Sequence, residues 1–577
     1  MASHEAHEAL PAAGWLKTGV GLVVAGVSAA AAAALFGLPI ELRLLLLAAA
    51  VIALSAIPGR MPVERRLHPF DVRALLGPPL CILTGIGAGV LDWRLIGGVI
   101  AEKLPIIMFI LSFAYLCAGV EHSGYFEYAA YTVADRCRRS TARLIVSMFL
   151  LNSLFTAITS NDVVVLAMTP ITLAIARAAE VKNARILLLS QFIAANTLSM
   201  ALYTGSPTNI IVSQRLGLNF FSYFALMAVP SIVALIATLG ALWLITHTSR
   251  AGGETAGRRF RPLRYLLSGR NRWEFNPTYT ESRALLPPVK TPAMSVWLVA
   301  FWVAVAFVAV SSLFGVSLLA SASVALAAAL AAHALTFRGG RNERVSRRFL
   351  AVHLPYGILP FGLAMFTITE ALSHSAFSTS VRAILVRASG SSFFATAMSW
   401  GATAGGMVNL LNDLPASDLL AQLFAQSSFS RFQEYAALQA TLVAVNIGTY
   451  LTPIGALAGL IWVQTMKRAQ AGRTKDRVVT PELRDLMLFG LISFVITFAV
   501  SMTCIAMGGM ALDYFTRGDN PPPIDVVSAA GVGVATVIAL VFFGGRRLVR
   551  ARQRAAIPPS PVAPSYSTDS TSSGTSR

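Results

Sequence analysis

Two pairs of adjacent polar residues stand inside stretches that are otherwise strongly apolar. Asn161 and Asp162 lie within ITSNDVVVLAMTPI, and Asn412 and Asp413 lie within NLLNDLPA. An Asn-Asp pair at the start of an apolar run is typical of a helix N-cap, and Pro415 at an early helical position supports this in the second pair. Burial favours the protonated form of a carboxylate, which can then exchange protons near neutral pH. The pairs are therefore candidate sites for a proton or another cation.

The composition around these pairs indicates a membrane protein. Of 577 residues, 55% are hydrophobic and 13% are charged, and the mean hydropathy is +0.65, which excludes an ordinary soluble protein. Apolar runs of bilayer-spanning length lie near 15–36, 40–57, 74–92, 97–120, 186–214, 222–247, 294–315, 317–336, 352–374, 436–466, 484–508 and 526–545. Two further apolar regions, 144–178 and 391–429, carry the Asn-Asp pairs at their centres. The sequence predicts an all-α polytopic membrane protein with about twelve spans.

The net charge of +19 comes from basic residues concentrated in the loops between the apolar runs. Anionic lipid and membrane orientation explain this distribution, so no nucleic-acid partner is expected. The positive-inside rule puts both termini in the cytoplasm if regions 144–178 and 391–429 each return to the side they entered from. We therefore expect the cytoplasmic (inner) membrane. The N-terminus lacks the pattern of a cleaved signal peptide, so the first run is expected to be a retained span.

An internal repeat follows from the same topology, because region 144–178 enters from the cytoplasm and region 391–429 enters from outside. The offset between the two Asn-Asp pairs is 251 residues, and the landmarks GSPTN and LTPIG stand at a similar offset. Two halves of opposite orientation are typical of secondary transporters. The predicted domains are N-terminal spans and a linker at 1–73, a first repeat at 74–247, a basic cytoplasmic linker at 248–293, a second repeat at 294–508, an additional span at 509–547 and a disordered tail at 548–577.

Each repeat is predicted to contain a re-entrant hairpin with the Asn-Asp pair at its tip. The alternative is a pair of ordinary spanning helices with Asn-Asp in an exposed turn, and we prefer the hairpin because about 17 residues per arm is short for a span. Each repeat should also contain a broken helix, because a hydroxyl followed by Pro restarts a helix at Ser206-Pro207 and Thr452-Pro453. The neighbouring glycines allow close backbone approach; these are Gly205 and Gly455. His122 and His374 are expected to be interfacial residues rather than proton shuttles.

At these residues the chain resembles the arsenite efflux permeases, part of an ion-transporter superfamily that includes sodium/proton antiporters and sodium-coupled dicarboxylate carriers. The resemblance covers about 95–508 and is carried by TSNDVVVLAMTPI, NLLNDLPA and YLTPIGALAGLIW. It implies two inverted repeats, each with a re-entrant hairpin and a broken helix, beside a scaffold. It also implies a set of ion and substrate ligands at matching positions: Ser160, Asn161, Asp162, Gly205, Ser206, Thr208, Asn209, Asn412, Asp413, Thr452 and Gly455. Dicarboxylate carriers have Ser-Asn-Thr at the tips, and Asp in place of Thr disfavours a carboxylate substrate.

The function expected from these features is export of arsenite or antimonite as the neutral hydroxide in exchange for protons, by alternating access. Asp162 and Asp413 would couple transport to protons, while Asn161 and Asn412 would bind substrate or ion. A sodium/proton antiporter or a sodium-coupled anion permease is the alternative. An enzyme is not expected, because HExxH and GxSxG motifs are absent from the sequence.

The coupling ion would be H⁺ or Na⁺, and neither a cofactor nor a metal site is expected, since the four cysteines have no ligand spacing. The expected partners are the lipid bilayer and a small inorganic substrate. A homodimer and a cytoplasmic ATPase partner both remain open.

Overall fold

A computed structural model describes residues 38–56, 72–137, 141–178, 184–250, 288–337, 358–429, 432–470 and 479–515. The predicted spans at 15–36 and 526–545, most of the 248–293 linker and the 548–577 tail lie outside these residues. The predicted domain boundaries therefore stay predictions. Within the described residues the protein is helical throughout, which confirms the all-α fold.

The described residues form eighteen α-helices, which fall into two groups of nine in chain order. The first group is α1 Ile40–Ala56, α2 Val72–Gly87, α3 Trp93–His122, α4 Tyr125–Cys137, α5 Thr141–Ile158, α6 Asn161–Ala178, α7 Arg185–Thr197, α8 Pro207–Arg215 and α9 Phe220–Arg250. The second group is α10 Pro292–Leu313, α11 Leu318–Thr336, α12 Ile358–Ser373, α13 Ala376–Ser389, α14 Phe393–Leu411, α15 Asp413–Ala425, α16 Gln433–Gly448, α17 Leu457–Gln470 and α18 Leu483–Phe515.

Local sequence explains where several helices begin. Pro292 opens α10, where its missing N–H has no intrahelical partner to lose. Ser317 caps α11 by accepting the Ala320 N–H at 3.3 Å, and Ser392 caps α14 by accepting the Ala395 N–H at 3.3 Å. These small hydroxyl and proline signals start helices inside an otherwise apolar chain.

Six described helices are long and apolar enough to cross a bilayer: α3, α6, α9, α10, α11 and α18. On α10 the apolar side chains of Val299 and Trp302 are 62% and 49% exposed. Such outward-facing apolar surface suits a lipid environment, in which intrahelical bonds satisfy every backbone polar group. Shorter apolar helices occur at Leu76–Gly87, Arg143–Ile158 and Leu359–Ser373.

The two groups pack on each other reciprocally. In the first set of contacts between the groups, α6 of the first group packs on α17 of the second, and α15 of the second packs on α8 of the first. In the second, α3 packs on α11 and α12 packs on α2, and the last helices of the groups, α9 and α18, also pack together. The first set of contacts therefore pairs each helix that begins at an Asn-Asp pair with a helix that follows a break in the other group: α6 with α17, and α15 with α8.

Candidate functional site

The first polar pair lies at a tight turn between α5 and α6. Asn161 is the first residue of α6, and its side chain is only 2% exposed. Its backbone N–H donates to the Gly205 carbonyl oxygen at 3.2 Å, while its side-chain Nδ2 donates to Asn196 Oδ1 at 3.3 Å. Ser160 Oγ donates to Asn161 Oδ1 at 3.4 Å. The turn is therefore buried and bonded to the chain around Gly205.

The second polar pair lies at the junction of α14 and α15. Asn412 is 1% exposed, and it adopts a positive φ of 77°, which L residues rarely occupy. Its Nδ2 donates to the Ile454 carbonyl oxygen at 3.0 Å. Asp413 is also buried, and its Oδ1 accepts the Leu414 N–H at 3.0 Å. In both halves, an Asn therefore ties the turn to the interrupted helix that follows it in the chain.

The two aspartates do not act as N-caps, contrary to the sequence-based expectation. Both stand inside the first turn of their helices, with Asn412 at the cap position of α15. The preceding asparagine forms the turn in each pair, because its amide can bond to backbone on either side of the junction. The carboxylates are consequently available for contacts with other elements.

The first helix break separates α7 from α8. A short 3₁₀ turn at Leu198–Met200 follows α7, and α8 begins at Pro207, where the local pattern predicts it. Ser206 caps α8 by accepting the Thr208 N–H at 3.4 Å, and the Ser206 and Thr208 hydroxyls lie 2.9 Å apart. All these groups are buried.

Backbone carbonyls crowd this break. Asn209 Nδ2 donates to the carbonyl oxygens of Ser199 at 2.7 Å and of Leu202 at 2.9 Å. A Cβ atom at Gly205 would overlap the Ser199 oxygen and come within 3.2 Å of the Ala157 oxygen. Only glycine lets the chain pass so close to these oxygens.

The second helix break separates α16 from α17, and here the predicted register is wrong. We expected Thr452 to cap a half-helix beginning at Pro453, but α17 begins at Leu457. The Thr452 hydroxyl instead donates to Asn409 Oδ1 at 2.7 Å, and the chain turns through the Gly455 N–H to the Thr452 oxygen at 3.2 Å. The Thr452 hydroxyl, which the local sequence predicts to cap a helix, is thus bound by Asn409 of another helix instead.

Asn409 is a site residue that the sequence reasoning missed. Its Nδ2 donates to the carbonyl oxygens of Gly405 and Gly448, each at 2.9 Å. A Cβ at Gly455 would lie 3.1 Å from Asn409 Oδ1, so this amide fills the inside of the second break. The signal available in the sequence is an Asn almost one turn before the Asn412-Asp413 pair.

The two groups of helices contact each other at the side chains of Asp162 and Asp413. Asp162 accepts a hydrogen bond from the backbone N–H of Ala458 in the first turn of α17, where a helix N-terminus favours negative charge. Asp413 is close enough to Asp162 for the two carboxylates to repel each other. Ser199 Oγ donates to Asn446 Oδ1 at 2.8 Å, and the Thr197 and Tyr450 hydroxyls lie 2.6 Å apart.

Some buried polar atoms at the site have no partner within the described residues. They are Asn412 Oδ1 and Thr204 Oγ1. Buried polar groups are normally hydrogen-bonded, so such atoms are candidates for contact with a ligand. Among the described residues, no three His, Cys, Asp or Glu side chains lie together so as to hold a metal ion. The groups of this region that could contact a ligand are therefore oxygen atoms and side-chain amides.

Comparison with known proteins identifies the type of molecule that carries this site. The sequence model of the citrate transporter family matches residues 32–436. The chain belongs to this citrate transporter family. The match includes both Asn-Asp pairs and the first helix break, and it ends before the second break. Together with the apolar helices, it makes the protein a multi-pass membrane transporter.

Two arsenical pump membrane proteins are similar to about two thirds of the chain, and a mycobacterial transporter is similar to a shorter part. The arsenical pump membrane protein of Escherichia coli is 23% identical over 403 residues, which cover 68% of this chain and 85% of that protein. Its counterpart in Escherichia coli strain K12 is 24% identical over 409 residues, with the same shares. The uncharacterized transporter Rv2685 of Mycobacterium tuberculosis is 30% identical over 141 residues, covering 24% of this chain and 33% of that protein.

Proposed function

We propose that this transporter exports arsenite or antimonite as the neutral hydroxide in exchange for protons, by alternating access. The observation that carries the proposal is the electrostatic repulsion between Asp413, which is buried, and Asp162, which is half-buried. Repulsion between two carboxylates favours the binding of a proton or another cation at the pair. Similarity to the arsenical pump membrane proteins supports the substrate.

The surrounding groups suit a small neutral hydroxide. Asn412 Oδ1 and Thr204 Oγ1, both buried, can accept hydrogen bonds from its hydroxyl groups. Neither Asn-Asp pair nor either helix break contains a cysteine, so ligation of arsenic would rely on oxygen and amide groups. The substrate ligands are then drawn from Asn161, Asn412 and the two breaks, with Ser160, Gly205, Ser206, Thr208, Asn209, Thr452 and Gly455 contributing.

The transport core in this proposal consists of two inverted repeats, each with a re-entrant hairpin and a broken helix. Helices α5 and α6 form the first hairpin, and α14 and α15 form the second. The reciprocal packing of α6 on α17 and of α15 on α8 supports this arrangement. Burial of Asn161 and Asn412 also argues against the alternative of Asn-Asp pairs in exposed turns.

The proposal includes the membrane context. The protein would lie in the cytoplasmic membrane with both termini inside, because the basic loops fall on one side of the topology. It would work without a cofactor, on a proton or sodium gradient and without covalent catalysis. A homodimer and association with a cytoplasmic ATPase are compatible additions.

A second candidate is a cation-coupled permease for citrate or another carboxylate, or a sodium/proton antiporter. The family match favours the carboxylate permease. However, Asp162 and Asp413 would repel a polyanion, so a carboxylate substrate would have to enter with bound cations. The neutral hydroxide carries no charge and therefore needs no bound cation to enter the site.

Everted membrane vesicles test the proposal directly. With an acid interior, they should accumulate arsenite and antimonite, and collapse of the pH gradient should abolish uptake. Vesicles carrying Asp162→Asn together with Asp413→Asn provide the inactive control. Uptake of citrate or a dicarboxylate driven by Na⁺ or a divalent cation, without arsenite uptake, would replace the first candidate by the second.

A further inference from the structure

A buried lysine lies outside the candidate site, in the third turn of α3. Lys103 is 2% exposed, and its Nζ lies 2.6 Å from Oδ1 of Asp418, which is fully buried in α15. The same Nζ lies 2.9 Å from Oε1 of Glu102 and 5.7 Å from the ring centre of Phe366 in α12. Buried charges are stable only when they are paired, so Lys103 and Asp418 depend on each other.

The interaction continues toward the surface. Glu102 is 47% exposed, and its Oε1 also accepts from Nη1 of Arg215 at 2.8 Å. Four side chains of alternating sign thus follow one another from the interior outward. We call this set the charge chain: Asp418, Lys103, Glu102 and Arg215.

A second carboxylate borders the buried end of the charge chain. Gln422 Nε2 donates to Asp418 Oδ2 at 3.2 Å and to Glu370 Oε2 of α12 at 2.9 Å. The other oxygen of Glu370 lies 3.4 Å from His374 Nε2, an exposed histidine. Both oxygens of Asp418 are therefore held, one by Lys103 and one by Gln422.

The charge chain joins three helices, two of which begin at the candidate site. Asp418 lies in the second turn of α15, which starts with Asp413. Arg215 is the last residue of α8, which starts with Pro207. Both are bound to α3, a helix that packs on α10 and α11. The N-termini of α15 and α8 are thereby fixed relative to α3.

We propose that Lys103 is a positioning residue, which holds α15 and α8 against α3 through the charge chain and so sets the two helix ends that frame the site. The inference rests on the proposed transport function, because alternating access requires the site helices to move relative to α3. That movement opens the charge chain. Separating a buried ion pair is costly, so the closed chain stabilises one of the alternating states.

Cross-linking at the exposed end measures the positioning without any transport assay. On a background lacking the four native cysteines, Ala101→Cys and Gln214→Cys leave all four members of the charge chain in place and are joined by a bis-methanethiosulfonate reagent. Ala101 and Gln214 are the exposed neighbours of Glu102 and Arg215 in the sequence. Adding Lys103→Met should slow cross-linking about tenfold, which corresponds to about 1.4 kcal/mol. Lys103→Arg should keep most of the original rate. Lys290→Met is the matched control, because Lys290 contacts the Tyr128 ring away from the charge chain.

A second variant separates positioning from simple charge compensation. Lys103→Met leaves Asp418 charged and unpaired, which can prevent folding. The double variant Lys103→Met with Asp418→Leu removes both charges, and its abundance and monodispersity should recover. Its cross-linking should nevertheless remain slow. A folded double variant that cross-links at the original rate would overturn the positioning role.

Transport supplies the final readout. The cross-linked cysteine pair should stop arsenite uptake into everted vesicles, and a reducing agent should restore it, whereas a monofunctional reagent should have little effect. Undiminished uptake by fully cross-linked protein would show that the charge chain does not open, and would overturn the proposal. If the cysteine-free parent itself fails to transport arsenite, the proposed function fails, while the cross-linking rates still decide the role of Lys103.

Discussion

The carboxylate of Asp162 accepts a hydrogen bond from the backbone N–H of Ala458, although the two residues belong to different halves of the chain. Asp162 stands in the first turn of α6, and Ala458 stands in the first turn of α17. The contact puts a carboxyl group at a helix N-terminus, where the helix dipole stabilises the ionised form. It also makes the environment of this carboxylate depend on the relative position of the halves.

Substitution of Asp162 tests its role in coupling. Asp162→Asn keeps an oxygen that can accept the Ala458 N–H and removes the titrating group. We expect a folded protein whose arsenite uptake no longer responds to a pH gradient. Asp162→Ala also loses the hydrogen bond, at a cost of about 1 kcal/mol, and should be less abundant. Uptake into everted vesicles and quantitative immunoblotting measure the two effects.

Asp413→Asn is the companion variant, and we expect only one of the two aspartates to be indispensable, since one proton site suffices. Asp162 is the stronger candidate. If both Asn variants still show full gradient-driven uptake, neither carboxylate is the coupling site.

Gly205→Ala should damage the first helix break. The added methyl group would overlap the Ser199 carbonyl oxygen, and relief of the overlap must shift the backbone at a cost of about 1–3 kcal/mol. We expect lower thermal stability in detergent and strongly reduced transport. Gly97→Ala is the control, since a Cβ at Gly97 meets nothing within 4 Å. Equal behaviour of the two variants would contradict the tight approach at Gly205.

Asn409→Ala should loosen the second helix break. The change leaves the Thr452 hydroxyl without its acceptor and removes the donor to Gly405 and Gly448. These hydrogen bonds are part-buried, so we expect each loss to cost about 1 kcal/mol. Asn152→Ala is the control, because in the part of the chain that the structure describes the Asn152 side chain donates to the Met148 oxygen of its own helix and to no other helix. Thermal unfolding followed by size-exclusion chromatography should show a larger loss for Asn409→Ala. A smaller or equal loss would rule out a special role for Asn409.

Thiol labelling tests the inverted topology. Arg136 and Arg387 are exposed residues near the ends of α4 and α13, and they are separated by the same 251 residues as Asn161 and Asn412. On a cysteine-free background in intact cells, a cysteine at Arg136 should react only with membrane-permeant reagents. A cysteine at Arg387 should react with impermeant reagents as well. Labelling of both from the same side would exclude inverted repeats.

Local signals in the sequence predict where the helices of the site begin better than they predict which residues of different helices contact each other. The hydroxyl-proline pattern at Ser206 and Pro207 gives the start of α8, because capping involves only neighbouring residues. The same pattern at Thr452 and Pro453 gives the wrong start for α17, since Asn409 binds the Thr452 hydroxyl from another helix.

The contacts between distant residues could not be predicted in this way. Lys103 and Asp418 each stand in an apolar run, and the sequence around either residue does not indicate that the two form a pair. Their pairing depends on how α3 and α15 pack. The same holds for Asp162 and Ala458, whose contact exists only once α6 lies on α17.

The charge chain also breaks the likeness of the two halves. At the offset of 251 residues, Asp418 corresponds to Ala167, which cannot form an ion pair. In a carrier whose halves exchange conformations, identical halves would give inward-open and outward-open forms of equal free energy. In the proposed carrier, the Lys103–Asp418 pair has no counterpart at this position, so we expect the two forms to be unequally populated at rest. We expect binding of substrate or a proton to supply the difference in free energy, which would give the proposed transporter one preferred resting state before substrate binds.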